Sequence, residues 1–486
     1  MDIAANAGRL VLAGGLVVDG SGAPPRRADV LLEDDRVAAV GNADAMPADA
    51  PRLDVGGRIV APGFIDSHTH DDGYLLAHPD MLPKVSQGIT TVVTGNCGIS
   101  LAPLRRETVP QPLDLLGPAS LFRFDSFRAW IAALRETPAA VNVIPLVGHT
   151  TLRVAAMDDT GRAATAAEIG HMQALLAEAM EAGAFGMSTG TFYPPAAHAP
   201  TAEIIEVGQA LRARGGLYAT HLRDEADHIV PAMEEALEIG RALDCPVVFS
   251  HHKLAGGSNH GRSTETLALL ERAARLQPVC LDCHPYPATS TMLRLDRVRI
   301  ASRTMITWSE GYPQAQGRDF ADVQRELGLD DAQTLQRLAP AGAIYFLMDP
   351  ADVRRIMTHP LAMVGSDGLP FDKHPHPRQW GTFTNVLRTL VREQGVLSLE
   401  TAIHKMTGLA ARNYGLADRG LLAPGYQADV VVFDAERVAD LATFEQPIQA
   451  SVGIAHVFVN GQRVWDGDRV TGALPGRVLR REPAHA

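Results

Sequence analysis

Residues 59–70 read Ile59-Val60-Ala61-Pro62-Gly63-Phe64-Ile65-Asp66-Ser67-His68-Thr69-His70. The run 59–66 is apolar, as a strand covered on both faces requires, and it stops at a cluster of ionisable residues. Histidines at i and i+2 of an extended chain point to the same side, so His68 and His70 can converge on one ion. Seven further runs repeat this pattern, at 89–94, 141–147, 185–188, 217–220, 246–250, 279–282 and 361–365, each followed by polar or ionisable residues. Helical patterns lie between them. In 166–183, Ile169, Met172, Leu175, Leu176 and Met180 recur at helical spacing, with Thr165 placed to cap the start and Gly183 to end the helix. Eight buried strands alternating with helices predict an α/β fold, a (β/α)8 TIM-like barrel whose chemistry gathers at the C-terminal strand ends. A doubly wound open sheet is the weaker alternative, because no Gly-rich phosphate loop follows the first run.

Outside these runs the two chain ends resemble each other. Both carry short β-rich runs broken by Gly, Pro and acidic turns, and Asn460-Gly461 between two alternating runs is a hairpin signal. The expected organisation is a small β domain built from both chain ends, residues 1–60 and 420–486, around a catalytic barrel at 61–419. An insertion at about 285–358 separates the seventh and eighth runs. It is too long for a simple connection, holds a helical pattern at 332–338, and is read as a lid over the site.

Composition removes several function classes. The 44 basic and 56 acidic residues give a net charge of −12 without a basic patch, which disfavours nucleic acid. No stretch approaches about 20 uninterrupted apolar residues, so no membrane span is expected. The first residues lack the basic and apolar regions of a signal peptide. Four cysteines (Cys97, Cys245, Cys280 and Cys283) are too few for a disulfide scaffold and suit a reducing cytoplasm, the expected location.

The chemistry lies in what ends the runs: His68 and His70 after the first, Cys97 after the second, His221 after the fifth, His251 after the sixth and Asp367 after the eighth. At these residues the sequence resembles the amidohydrolase superfamily and, within it, the D-aminoacylase (N-acyl-D-amino-acid deacylase) family. The likeness runs from Gly14-Gly15-Leu16-Val17-Val18-Asp19-Gly20 to Gly425-Tyr426-Gln427-Ala428-Asp429. It is most specific in residues 62–72, Gly95-Asn96-Cys97-Gly98, His221-Leu222-Arg223, Ser250-His251-His252-Lys253 and Gly365-Ser366-Asp367-Gly368. The Cys97 segment narrows it, because other binuclear branches bridge their metals with a Lys or Glu after strand four, where this chain has Phe185-Gly186-Met187-Ser188-Thr189.

The resemblance implies one tight Zn²⁺ site at Cys97, His221 and His251, and a weaker second metal position faced by His68, His70 and Asp367. A thiolate and two imidazoles suit borderline-soft zinc and leave a coordination position open. It also implies that Asp367 takes a proton from metal-activated water and returns it to the leaving amine. Lys253 and Arg378 are the implied cations for the substrate α-carboxylate, with Ser290 a further contact. His284 stands where the family has a contacting Tyr, a departure that bears on substrate grip. His149 is a candidate support to the site, and Cys280 and Cys283 are read as core.

The function expected is zinc-dependent hydrolysis of N-acyl-D-amino acids. A dipeptidase for dipeptides with a C-terminal D-residue is one alternative, and a cyclic-amide hydrolase another, disfavoured by the missing bridging Lys. The full ligand set argues against a relative that only binds. An acidic substrate side chain would need another cation, Arg294 or Arg297. Asp296 lies between them, and an arginine on an insertion is more often at the surface, so apolar D-residues such as methionine, leucine or phenylalanine are the expected substrates.

Overall fold

The computed structural model describes residues 8–481. Eight strands form the central sheet: β1 (Phe64–Asp66), β2 (Ile89–Thr94), β3 (Asn142–Gly148), β4 (Gly186–Gly190), β5 (Leu217–His221), β6 (Val247–Phe249), β7 (Val279–Cys283) and β8 (Ala362–Val364). They hydrogen-bond in sequence order and every neighbouring pair is parallel. The sheet curls until β1 returns to β8, where the Asp367 N–H donates to the His68 carbonyl at 2.8 Å. This is the TIM-like barrel expected from the sequence. Ile65, Val93, Leu146, Ala219, Val248 and Met363, from six different strands, pack in one buried cluster. Burial of each larger side chain contributes about 1.5–3 kcal/mol, which is why apolar runs marked the strands so clearly.

One run needs correction. Residues 59–66 are two strands, not one. Ile59–Pro62 pairs with Val430–Phe433 in a second sheet, and only Phe64–Asp66 enters the barrel. The hinge is Gly63, where a Cβ would sit 2.2 Å from the Thr90 side chain. A residue without a side chain lets the chain pass straight from one sheet to the other.

The second sheet takes Arg9–Val17, Arg26–Glu33, Arg36–Gly41, Arg52–Asp54 and Ile59–Pro62 from one end of the chain. Val430–Phe433, Ile454–Val459 and Gln462–Trp465 come from the other. At its hairpin, Asn460 and Gly461 have φ of 47° and 80°, the paired positive values that a two-residue turn of this kind needs. The helix expected after Thr165 runs Ala166–Ala182. Thr165 accepts from the Glu168 N–H, and Gly183 ends the helix with φ 117°.

Between β7 and β8 the chain builds a three-stranded antiparallel sheet with Ala341–Phe346 between Ala288–Met292 and Arg303–Ser309, and the helix Asp331–Leu338 covers the expected 332–338. The sheet was illegible because Ala288-Thr289-Ser290-Thr291-Met292 shows no apolar alternation, although all five residues are buried. No helix among the described residues is long and apolar enough to cross a membrane.

Candidate functional site

Cys97 sits in the turn Gly95-Asn96-Cys97-Gly98 that leaves β2. Gly95 has φ 75° and a Cβ there would lie 2.0 Å from the Leu146 carbonyl oxygen. Gly98 has φ 76°, with 2.5 Å to the Gly190 nitrogen. Only glycine fits at these two positions of the turn. Cys97, His251 and Asp367 themselves have φ of 54°, 34° and 51°. Non-glycine residues in this region cost of order 1–3 kcal/mol each, and such strain clusters where a site needs particular side-chain directions.

Two overlapping donor sets result. Cys97, His221 and His251 form one, and His68, His70, Cys97 and Asp367 the other, each with donor atoms within 4.8 Å of one another. Cys97 belongs to both. Its Sγ lies 3.1 Å from His251 Nε2 and 3.3 Å from His68 Nε2. Asp367 Oδ1 lies 3.3 Å from His70 Nε2 and 3.5 Å from His68 Nε2.

The electrostatics suit a cation. Burial drives the imidazoles towards their neutral form, His68 to about 3 and His221 well below its ordinary value. Burial, and then the Asp367 charge, push the Cys97 thiol well above its usual range. Both His221 ring nitrogens are buried without a hydrogen-bond partner. Neutral imidazoles, a thiol that burial and the nearby carboxylates keep from ionising against the pull of Lys253, and orphaned ring nitrogens describe a donor set that a metal ion completes. Burial also penalises the Asp367 carboxylate, but Arg378, His251, His70 and His68 outweigh it and hold it well below the usual carboxylate range. Arg378 Nη1 pairs with its Oδ2 at 2.8 Å.

Two carboxylates that the sequence analysis did not single out support the histidines. Asp282 on β7 lies 3.2 Å from His68 Nδ1 and accepts from the His251 backbone N–H at 2.8 Å. Glu225, four residues past His221, lies 3.2 Å from His251 Nδ1 and accepts from Lys253 Nζ at 2.6 Å. Carboxylates on the far nitrogen of a ligating histidine fix its tautomer and ring direction. The signal for both was a lone acidic residue near a histidine strand end, too common to stand out.

Lys253 and Ser290 line the cavity over the donor sets, whereas His284 and Arg378 lie behind its wall. Arg378 is fully buried. It donates to Thr289 Oγ1 at 3.1 Å and to the Ser290 carbonyl at 3.0 Å, with His284 Nε2 at 3.2 Å. His149 opens the helix His149–Ala156, 3.4 Å from Glu203, in a buried cluster with Arg153 outside the cavity lining. Cys280 and Cys283 are buried on β7.

The expectation of surface arginines on the insertion is overturned for Arg297. It is 6% exposed and lines the cavity. Its guanidinium is 4.3 Å from the Phe192 ring centroid and 3.5 Å from Glu225 Oε2. Arg294 is spent on Asp296, at 3.0 and 3.1 Å.

A family model described as the amidohydrolase family matches residues 53–465. The chain is 71% identical to an N-acyl-D-aspartate deacylase of Alcaligenes xylosoxydans xylosoxydans over 96% of its own length and 94% of that protein. It resembles a solved D-aminoacylase, reported with a binuclear metal centre activated by one metal and attenuated by the second, at TM-score 0.95 and 56% identity, covering 97% of this chain and 99% of that one. It also resembles an N-acyl-D-glutamate deacylase of Bordetella bronchiseptica, solved with zinc and a phosphonate mimic of the tetrahedral intermediate. There the TM-score is 0.93 and the identity 48%, with the same coverage.

Proposed function

Because the chain belongs to the amidohydrolase family, and within it to the N-acyl-D-amino-acid deacylases, we propose that it removes the acyl group from acidic D-amino acids, with N-acyl-D-aspartate preferred. The reaction is metal-dependent hydrolysis of a linear amide, giving a carboxylate and a free D-amino acid. Zinc suits the thiolate and neutral imidazoles of Cys97, His221 and His251, with a second, weaker position at His68, His70 and Asp367. When bound, it supplies an activated water and polarises the amide carbonyl. Asp367, ionised and held by Arg378, takes the proton of the attacking water and delivers it to the leaving nitrogen. Lys253 meets the α-carboxylate. A cytoplasmic location belongs to this reading, since a metal-binding thiolate keeps best where thiols stay reduced.

The observation that carries the acidic preference is Arg297, buried in the same cavity as Lys253. Glu225 reaches both cations, Lys253 Nζ at 2.6 Å and Arg297 Nη2 at 3.5 Å. Two cations within reach of one carboxylate suit a substrate whose two carboxylates are themselves close together, as in aspartate. This replaces the apolar side chain expected from the sequence. The wild-type enzyme should prefer N-acetyl-D-aspartate to N-acetyl-D-methionine. Arg297→Met should lower kcat/KM for the aspartate substrate by roughly 10²–10³-fold, as loss of one partner of a buried charge pair costs, and leave the methionine substrate little changed. Wild-type preference for methionine, or an equal loss on both substrates, contradicts the assignment.

The insertion sheet supplies Thr289, Ser290, Thr291 and Tyr345 to the cavity wall. If residues 285–358 act as a lid, nicking there by a protease should slow when D-aspartate saturates the site. Equal cleavage with and without the ligand would mean a fixed wall.

A further inference from the structure

The barrel is hydrogen-bonded in a continuous ladder from β8 round to β1, and the join between those two strands is its weakest line. Beyond the strands, one isolated bridge, Thr69 to Gly368, and a few single bonds cross it. The second donor set straddles this seam. His68 and His70 follow β1, and Asp367 follows β8. The other set takes His221 at the end of β5 and His251 after β6, inside the ladder, and shares Cys97 after β2.

A fully buried lysine that the chemistry above leaves unused lies across the seam. Lys84, on the short helix Leu82–Val85, is 0% exposed. Its Nζ donates to Asp66 Oδ2 at 2.9 Å and to Ser366 Oγ at 3.0 Å, with Asp71 Oδ2 at 3.2 Å. Asp66 ends β1, and Ser366 directly precedes Asp367. The Ser366 N–H donates back to Asp66 Oδ1 at 2.8 Å, and Ser366 Oγ reaches the His68 carbonyl at 3.4 Å. One ammonium thus ties the backbone that carries His68 to the backbone that carries Asp367.

We propose that Lys84 is a positioning residue that closes the barrel seam and so sets the spacing of Asp367 from His68 and His70. It touches neither substrate nor metal donors. It acts through Asp66 and Ser366 on the second metal position and on the proton-transferring carboxylate. The proposal rests on the reading of Asp367, His68 and His70 as one site. A buried charge group with two carboxylates is a costly device for a strand join, and here it stands where a displacement would move the base relative to the histidines facing it.

The test uses the zinc-loaded full chain with Lys84→Met, which keeps much of the buried volume, and Ser366→Ala, which removes only the hydroxyl bridge. Three quantities are measured: tight zinc by elemental analysis, binding of added zinc by calorimetry, and hydrogen exchange in peptides covering 64–70 and 365–368. Both variants should keep the tight zinc and bind added zinc about 10–100-fold more weakly. Exchange should rise at the seam and stay unchanged in β4 and β5, while kcat falls over a similar range with KM little altered. Unchanged binding of added zinc and unchanged seam exchange in a folded variant overturn the proposal. So does loss of the tight zinc together with the second in a folded variant, which would make Lys84 a support of the whole site and not of the seam. Should Lys84→Met fail to fold, Ser366→Ala carries the same expectations and the same refutation. A wild-type protein that takes up no second zinc refutes the paired-site reading instead, and seam exchange in Ser366→Ala then decides the clamp alone.

Discussion

Cys97→Ala is expected to lose the tightly held zinc and, with it, nearly all activity. Cys97 is the residue shared by both donor sets, so its removal leaves His221 and His251 as the two remaining candidate ligands on one side. It also takes a thiolate from the His68, His70 and Asp367 group. Even partners outside the coordination sphere cost about 10–100-fold in affinity when changed, and a lost ligand costs more. The metal contributes several kcal/mol to the barrier, so kcat/KM should fall by roughly 10³-fold or more. Cys97→Ser, which keeps the shape but offers a harder oxygen, should fall between. Zinc content after dialysis against a chelator, measured beside turnover of N-acetyl-D-aspartate, separates the outcomes. Full zinc and full activity in Cys97→Ala would show that the donor set is misassigned. The alanine fits a turn whose shape rests on Gly95 and Gly98, so the fold should survive.

The barrel was legible because parallel strands covered on both faces leave little choice of residue: 89–94 and 217–220 could hardly be anything but buried. The same logic failed at 59–66, where two consecutive strands of different sheets share one apolar run and only Gly63 marks the change. It failed again at 288–292, a buried strand made mostly of hydroxyl residues whose partners lie far along the chain. Among candidate site residues, histidines and a cysteine at strand ends are conspicuous because those types are rare there. Glu225, Asp282 and Lys84 are common types, and their importance lies in which side chain they meet across 26, 214 or 282 positions of chain. Beside Asp296 and on an insertion, Arg297 reads as a surface residue, and only the fold of the insertion turns it inward. The positive φ of Cys97, His251 and Asp367 leaves no trace in the identity of those residues. It is visible only in the glycines that flank Cys97.

Asp367→Asn should keep the zinc proposed to sit at Cys97, His221 and His251 yet lose about 10²–10⁴ in kcat, the range for removing a group that transfers a proton in the transition state. Asparagine is nearly isosteric, so the cavity and the backbone at φ 51° change little. What it cannot do is accept the water proton or return it to the leaving nitrogen. The native carboxylate has one oxygen towards His70 and His68 and the other on Arg378, which keeps it ionised despite burial. The amide can still accept from Arg378, so loss of position and loss of proton transfer are separable. The first would raise KM and loosen the second metal, and the second lowers kcat alone. A kcat loss with KM and tight zinc near wild type supports Asp367 as the base. Near-normal turnover would move that role to another group, with His70 the first to test because its Nε2 faces the same space.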